Sequence, residues 1–302
     1  LERAFRQEEE PVTEPKITQE MIQLYDEYTH LTLDRRDFMA KLTKLAGSGA
    51  AAAAIVPLIA ADQAKAAVVA PNDPAVKTET ITFPGATGPV KAYLAQPAAN
   101  QGKLPAVIVI HENRGLNGHI EDIARRLAKE GFAALAVDFL SPLGGTPKNE
   151  DKAREMFGKL DPKQTVANAV AAVAFLEKDP LTNGSVGAVG FCWGGGLVNQ
   201  LAVNSPDLRA AVAYYGMQPA AADVPKIKAK LLLHYAGLDD RTNAGIPAYE
   251  KALKAAGVDY QIFVYEGANH AFNNDTSAAR YNKEAADLAW SRTLAFLRQN
   301  LG

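Results

Sequence analysis

The chain holds a single cysteine, Cys192, in the run Gly190-Phe191-Cys192-Trp193-Gly194-Gly195-Gly196. The apolar segment Val186–Phe191 before it reads as a strand and Gly194–Asn204 after it as a helix. A glycine two residues to either side of a central residue is the spacing of a sharp strand-to-helix turn that carries a nucleophile at its tip. Side chains at 190 and 194 would collide where strand and helix crowd together. Backbone N–H groups at the start of the helix also favour a thiolate at Cys192. A lone cysteine is by default a small buried hydrophobe, and it is this setting that points to reactivity instead. The other glycine-rich strand-to-helix turn, a dinucleotide loop, does not fit. The Gly-x-Gly pair is missing, and a cysteine and a tryptophan stand where a pyrophosphate would need small residues.

A thiol in such a turn needs a base, and the base needs an acid to orient it. Both are expected later in the chain, acid first, each on a loop after a strand. Asp239 and Asp240 follow the strand-like Leu231–Tyr235, and His270 follows Gln261–Tyr265 within Asn269-His270-Ala271-Phe272. His270 would accept the thiol proton and later activate water, while the acid holds its other ring nitrogen in the useful tautomer. Asp239 is preferred for that role, although either aspartate could cap the next helix or reach the histidine. The loop after Ala106–His111 reads Glu112-Asn113-Arg114-Gly115-Leu116-Asn117. A loop in that place donates one backbone N–H to an oxyanion hole, and the residue after the nucleophile donates the other. Here those are Asn113 and Trp193.

Further segments must hold these residues in place. Strands are expected at Glu79–Phe83, Val90–Gln96, Ala106–His111, Ala133–Phe139, Val186–Phe191, Ala210–Tyr215, Leu231–Tyr235 and Gln261–Tyr265. Helices are expected at Ile120–Glu130, Thr165–Lys178, Gly194–Asn204, Ile246–Ala256 and Asn282–Gln299. Two leading strands followed by strand–helix alternation imply an α/β fold, an open and mostly parallel sheet with helices on both faces. The inner runs AVIVI, AALAV, VGAVGF and KLLLHY are nearly continuously apolar, as strands buried on both faces should be. Chemistry in such a sheet gathers at the carboxyl ends of its strands, where all the residues above fall. The segment Ser141–Gln164 could cover the site but carries no recognisable specificity motif.

The 302 residues fit one domain, 76–302, preceded by an extension, 1–75. With 32 basic against 34 acidic residues and no lysine- or arginine-rich run, a nucleic-acid partner is not expected. One cysteine excludes an internal disulfide and a multi-cysteine metal site. His30, His111, His119, His234 and His270 show no short ligand spacing, so neither a metal nor a cofactor is expected. Within the extension, Met21, Leu24, Tyr25 and Tyr28 recur at helical spacing over Ile17–Leu33. Arg35-Arg36 with Phe38, the apolar run Leu45–Ala61 and Ala64-Lys65-Ala66 follow. This order resembles a twin-arginine export signal with an A-x-A cleavage site, which implies a periplasmic protein. The alternative is an arm kept on a cytoplasmic protein, docked on its own body or on a second copy in a homo-oligomer. The apolar run, with Pro57 inside it, is marginal for a stable membrane span.

From about Val76 onward the motifs HENRGLN, VGFCWGGG, HYAGLDD and NHAF occur in the order that resembles the dienelactone hydrolase (carboxymethylenebutenolidase-like) family. The resemblance implies an α/β-hydrolase fold with about eight strands. It also implies cleavage of a lactone or short carboxylic ester through a Cys192–His270–Asp239 triad and an acyl-enzyme. It gives Glu112 a part as the carboxylate that bonds the cysteine and takes its proton once substrate binds. Such pairing would also slow oxidation of the sulfur. Family members carry an arginine for the substrate carboxylate a few residues beyond the histidine, whereas this chain has Asn274, which offers no charged fork. Arg114, Arg241 and Arg280 lie on neighbouring motif loops and could substitute. Arg114, Arg241, Phe272 and Asn274 are thus the candidate substrate-binding residues. Thioesters, amides or larger esters are alternative substrates. A binding or redox-sensing protein without turnover is the alternative from another class.

Overall fold

Strands β1 (Val76–Gly85), β2 (Gly88–Pro97), β3 (Leu104–Ile110), β4 (Ala133–Val137), β5 (Thr182–Phe191), β6 (Ala210–Tyr214), β7 (Lys230–Ala236) and β8 (Tyr260–Tyr265) form one sheet in the computed structural model. The structure describes residues 16–30, 32–62, 67–100 and 102–302. The spatial order is β1-β2-β4-β3-β5-β6-β7-β8. The pairs β1/β2 and β2/β4 are antiparallel and the other five are parallel. Two leading antiparallel strands and a parallel remainder are what the strand–helix alternation implies, and the fold is that of the α/β-hydrolases.

Helices α1 (Gln19–Thr29), α2 (Arg35–Ala46), α3 (Gly49–Ile59), α4 (Gly118–Lys129), α5 (Glu150–Phe157), α6 (Pro162–Lys178), α7 (Trp193–Asn204), α8 (Asp240–Asn243), α9 (Ile246–Ala256) and α10 (Lys283–Leu301) accompany the sheet. The apolar runs of the inner strands split by parity, because successive side chains of a strand point to opposite faces. Ala106, Ile108 and Ile110 of β3 join a core with Ala169 and Val173 of α6 and Leu197 and Val198 of α7. Val107 and Val109 join the opposite core with Ile120 and Ile123 of α4 and Leu297 of α10. Both faces are dry, so the β3–β5–β6–β7 ends that carry the site are held from two sides.

The segment after Ser141 contains structure that periodicity alone does not announce. Asn149 caps α5 by accepting the Lys152 N–H, and Asp161 caps α6 with Pro162 in its first turn. Helix α6 therefore begins before the Thr165 expected from the sequence.

The chain divides into two compact units, one ending at Ala60 and one from Ala61 to Gly302. In the first, Asp34 caps α2 through the Asp37 N–H, so Arg35 and Arg36 are the first two residues of that helix. Gly47, in the left-handed region at φ 81°, ends α2, and Ser48 caps α3. The expected stripe packs on α2: the Tyr28 and Phe38 rings stack at 4.5 Å, with Tyr25 against both. Helices α2 and α3 meet at 107°, and no single helix among the described residues is long and apolar enough to cross a membrane. Ala64-Lys65-Ala66 lies outside the described residues. In the second unit the residues just after it are clamped: Val68 and Val69 N–H donate to Asp122 of α4 at 3.2 and 2.8 Å, and Arg125 Nε donates to Val69 O at 2.7 Å.

Candidate active site

Strand β5 turns into α7 at Cys192, whose φ of 56° and ψ of −116° lie where a side chain is strained. The strain is held by hydrogen bonds from Cys192 N–H to Tyr214 O at 3.0 Å and from Gly196 N–H to Cys192 O at 3.1 Å. Its flanking glycines are required by crowding. A Cβ on Gly190 would stand 2.2 Å from Gly194 O, and one on Gly194 2.5 Å from His111 O. The second contact shows that the tip of β3 presses on the turn as well, so the Glu112 loop and Cys192 are fixed against one another.

The candidate base and its candidate acid follow β8 and β7. His270 Nδ1 lies 2.6 Å from Asp239 Oδ2, and a ring nitrogen of His270 lies within 4.8 Å of the Cys192 sulfur. Their loops are tied together, since Gly237 N–H donates to Tyr265 O at 2.8 Å and Leu238 N–H to Ala268 O at 3.0 Å. Burial alone would raise the Asp239 carboxyl, but hydrogen bonds from His270 and Thr242 and the histidine's charge hold it below the ordinary aspartate range. Asp239 fills both roles that its sequence position allows. One oxygen caps α8 by accepting Thr242 N–H at 3.1 Å, and the other orients the histidine. Asp240 is exposed.

Glu112, after β3, is buried, and its Oε2 accepts a hydrogen bond from Asn274 Nδ2 at 2.9 Å. Its Oε1 is buried without a hydrogen-bond partner among the described residues. His111 next to it is neutral by construction. Nδ1–H donates to Glu112 O at 2.8 Å, Nε2 accepts Phe139 N–H at 3.2 Å, and burial lowers the ring below the ordinary histidine range. That ring stacks on Trp193 at 5.5 Å, so one side chain braces both the Glu112 loop and the residue after Cys192.

The model of the dienelactone hydrolase family matches residues 90–301. This chain belongs to the dienelactone hydrolase family. Two relatives with the name "Putative carboxymethylenebutenolidase" agree with that. The Saccharolobus solfataricus protein is 34% identical over 254 residues, covering 70% of this chain and 94% of the relative. The Synechocystis protein is 32% identical over 245 residues, covering 75% and 98%. Among solved structures, the dienelactone hydrolase-like promiscuous phosphotriesterase P91 from metagenomic libraries is 25% identical, with a TM-score of 0.67 over 76% of this chain and all of that one. A second model, YqhI-like, matches residues 11–47.

Against the dienelactone hydrolase pattern, the candidate substrate residues separate. Asn274 is not placed as a substrate contact. It is almost fully buried, its amide N–H faces Glu112, and its Oδ1 accepts from Thr276 N–H at 3.1 Å and Thr276 Oγ1 at 2.6 Å. Phe272 is core, fully buried against Tyr215 and Tyr265, because the turn at Ala271 (φ 64°) sends the chain back under the sheet end. Arg114 pairs with Glu150 of α5 at 3.0 Å, which ties the loop after β3 to the segment after Ser141. Arg241 is exposed, with Nη1 3.6 Å from the Met217 sulfur. Arg280 is buried, its Nε donating to Ser277 Oγ at 3.0 Å. Asn113 and Trp193 follow β3 and β5, which are adjacent parallel strands. The sequence reading left out Thr276 and Tyr215. Only the rule that strand ends carry chemistry pointed to Tyr215, which directly follows β6.

Proposed function

We propose that this hydrolase cleaves a lactone or short carboxylic ester through an acyl-enzyme on Cys192. The observation that carries the reading is the His270–Asp239 hydrogen bond of 2.6 Å beside a cysteine held at a strained strand-to-helix turn. The Cys192 sulfur attacks the acyl carbon, and the oxygen that becomes negative is received by the N–H groups of Asn113 and Trp193. His270, oriented by Asp239, takes a proton from the water that attacks the thioester and returns it to the departing thiolate, while the leaving alkoxide recovers the thiol proton that Glu112 takes. Glu112 takes the thiol proton as substrate enters. Its neutral partner Asn274 supports this, because an amide positions a carboxylate without the full charge that would weaken it as a base. A lactone or ester is preferred over a thioester on the names of the carboxymethylenebutenolidase relatives.

The test is Cys192→Ala assayed on p-nitrophenyl acetate and on a cyclic enol lactone, with circular dichroism to verify the fold. Turnover should fall by several orders of magnitude on both substrates, and intact-mass analysis of the unmodified enzyme should trap an acyl adduct on the cysteine peptide. Retention of more than about a tenth of kcat/KM, a barrier change of only ~1.4 kcal/mol, would overturn the assignment.

A further inference from the structure

The mechanism above makes no use of Tyr215, and the structure holds that residue at some cost. Its φ is 39°, a left-handed conformation uncommon for a bulky side chain, and its N–H donates to His234 O at 2.6 Å. The next residue cannot shift to relieve it, since a Cβ on Gly216 would stand 2.2 Å from the Gly195 backbone under the first turn of α7. The strained turn lays the Tyr215 ring against the His270 imidazole, with centroids 4.9 Å apart, and against Phe272 at 5.4 Å. The residue is 1% exposed, and its hydroxyl has no hydrogen-bond partner among the described residues.

A buried hydroxyl without a partner is destabilising, and strained residues gather where a site requires them. Burial above all, then the charges of Glu112 and Cys192, push the phenol well above the ordinary tyrosine range, with Arg280 opposing them. The hydroxyl therefore stays protonated and is a permanent donor among the groups of the site. Its direction of approach follows from sheet order. Strand β5 lies between β3 and β6, so the turn that carries Tyr215 lies on the side of Cys192 opposite the Asn113 loop.

Building on the reading of Cys192 as nucleophile, we propose that the Tyr215 hydroxyl is a substrate-binding donor. It takes an acceptor oxygen on the acyl portion of the ester or lactone, apart from the reacting carbonyl, and so selects oxygenated acyl groups.

The experiment compares p-nitrophenyl methoxyacetate with p-nitrophenyl butyrate, acyl groups of equal length that differ by an ether oxygen in place of a methylene. Their kcat/KM ratio is measured in the unmodified enzyme and in Tyr215→Phe, which cancels the intrinsic reactivity of the two esters. The ratio should be at least fivefold higher in the unmodified enzyme, and the Tm of Tyr215→Phe should equal or exceed that of the parent, because an unsatisfied group has been removed. A ratio that changes by less than fivefold, a lowered Tm or failure of the variant to fold would overturn the proposal and assign the hydroxyl to structure. Cys192→Ala is carried alongside. Turnover surviving in that variant would refute the nucleophile assignment, while the Tyr215 ratio reports on the acyl group whichever atom attacks it.

Discussion

The distance of 2.6 Å between His270 Nδ1 and Asp239 Oδ2 sets the sharpest expectation at the scale of single residues. Asp239→Asn should lower kcat by about three to four orders of magnitude, because an amide no longer enforces the tautomer that presents a basic nitrogen to the water attacking the thioester. Asp240→Asn should stay within about threefold, since that side chain is exposed at the start of α8 and the histidine's bond is made by its neighbour. Steady-state kinetics on the two variants decides this, and equal losses would refute it. Asn274 gives a second prediction. Asn274→Asp would set two carboxylates about one hydrogen bond apart, where only one ionises readily. The acid limb of the kcat/KM–pH profile should then move up by about one unit or more. An unmoved limb would show that Glu112 does not depend on this partner. Much of the site was legible from residue types and spacing, because a strand-to-helix nucleophile turn dictates glycines and fixes the order in which its partners appear. The role of Asn274 was not. Position relative to the histidine says where a residue falls in the motif, but only the turn at Ala271 decides whether its amide faces the substrate or Glu112.

Secondary-structure elements were legible to the extent that their signals are local. Each inner strand is an apolar run, and the parity of its side chains explains why no alternation is visible there. Helix α5 escaped because eight residues give too little periodicity to notice, although its Asn149 cap was in plain sight. Least legible was the polar network behind the site. His234 of β7 lies 3.2 Å from Thr293 Oγ1 through Nε2 and 2.9 Å from Tyr265 Oη through Nδ1, and Thr293 also bonds Tyr214 Oη at 2.7 Å. This ties α10 to the ends of β6, β7 and β8, which lead into Tyr215, Asp239 and His270. Burial, helped by the Arg292 charge, pulls His234 down to about 3 from an ordinary 6.5. Between those two values the unfolded chain holds a proton that the folded chain refuses, so stability is greatest above pH 6.5 and falls as pH drops toward 3. At pH 4.5 the loss from this one group is about 2–3 kcal/mol. Urea unfolding at pH 7 and 4.5 should show a smaller pH-dependent loss in His234→Gln than in the parent, even though the variant begins less stable. The same loss in both would place the acid sensitivity elsewhere.

At the scale of the whole molecule, the eight strands and the proposed catalytic residues lie in the unit beginning at Ala61. The clamp on Val68 and Val69 fixes the chain just after Ala64-Lys65-Ala66. A cut after Ala66 would therefore leave the sheet, the Asp122 and Arg125 anchors and the proposed triad in place. The twin-arginine-like reading of Arg35-Arg36 requires such a cut. Arg35 and Arg36 are exposed in the first turn of α2. We propose that the segment up to Ala66 directs export to the periplasm. The full chain, expressed in a bacterium with a working twin-arginine pathway, should yield a periplasmic protein whose N-terminus, read by intact mass, begins at Ala67. Arg35→Lys combined with Arg36→Lys should hold it in the cytoplasm at full length with ester hydrolysis preserved. Full-length, cytoplasmic protein from the unmodified chain would refute export and leave the YqhI-like segment 11–47 as a resident part of the enzyme.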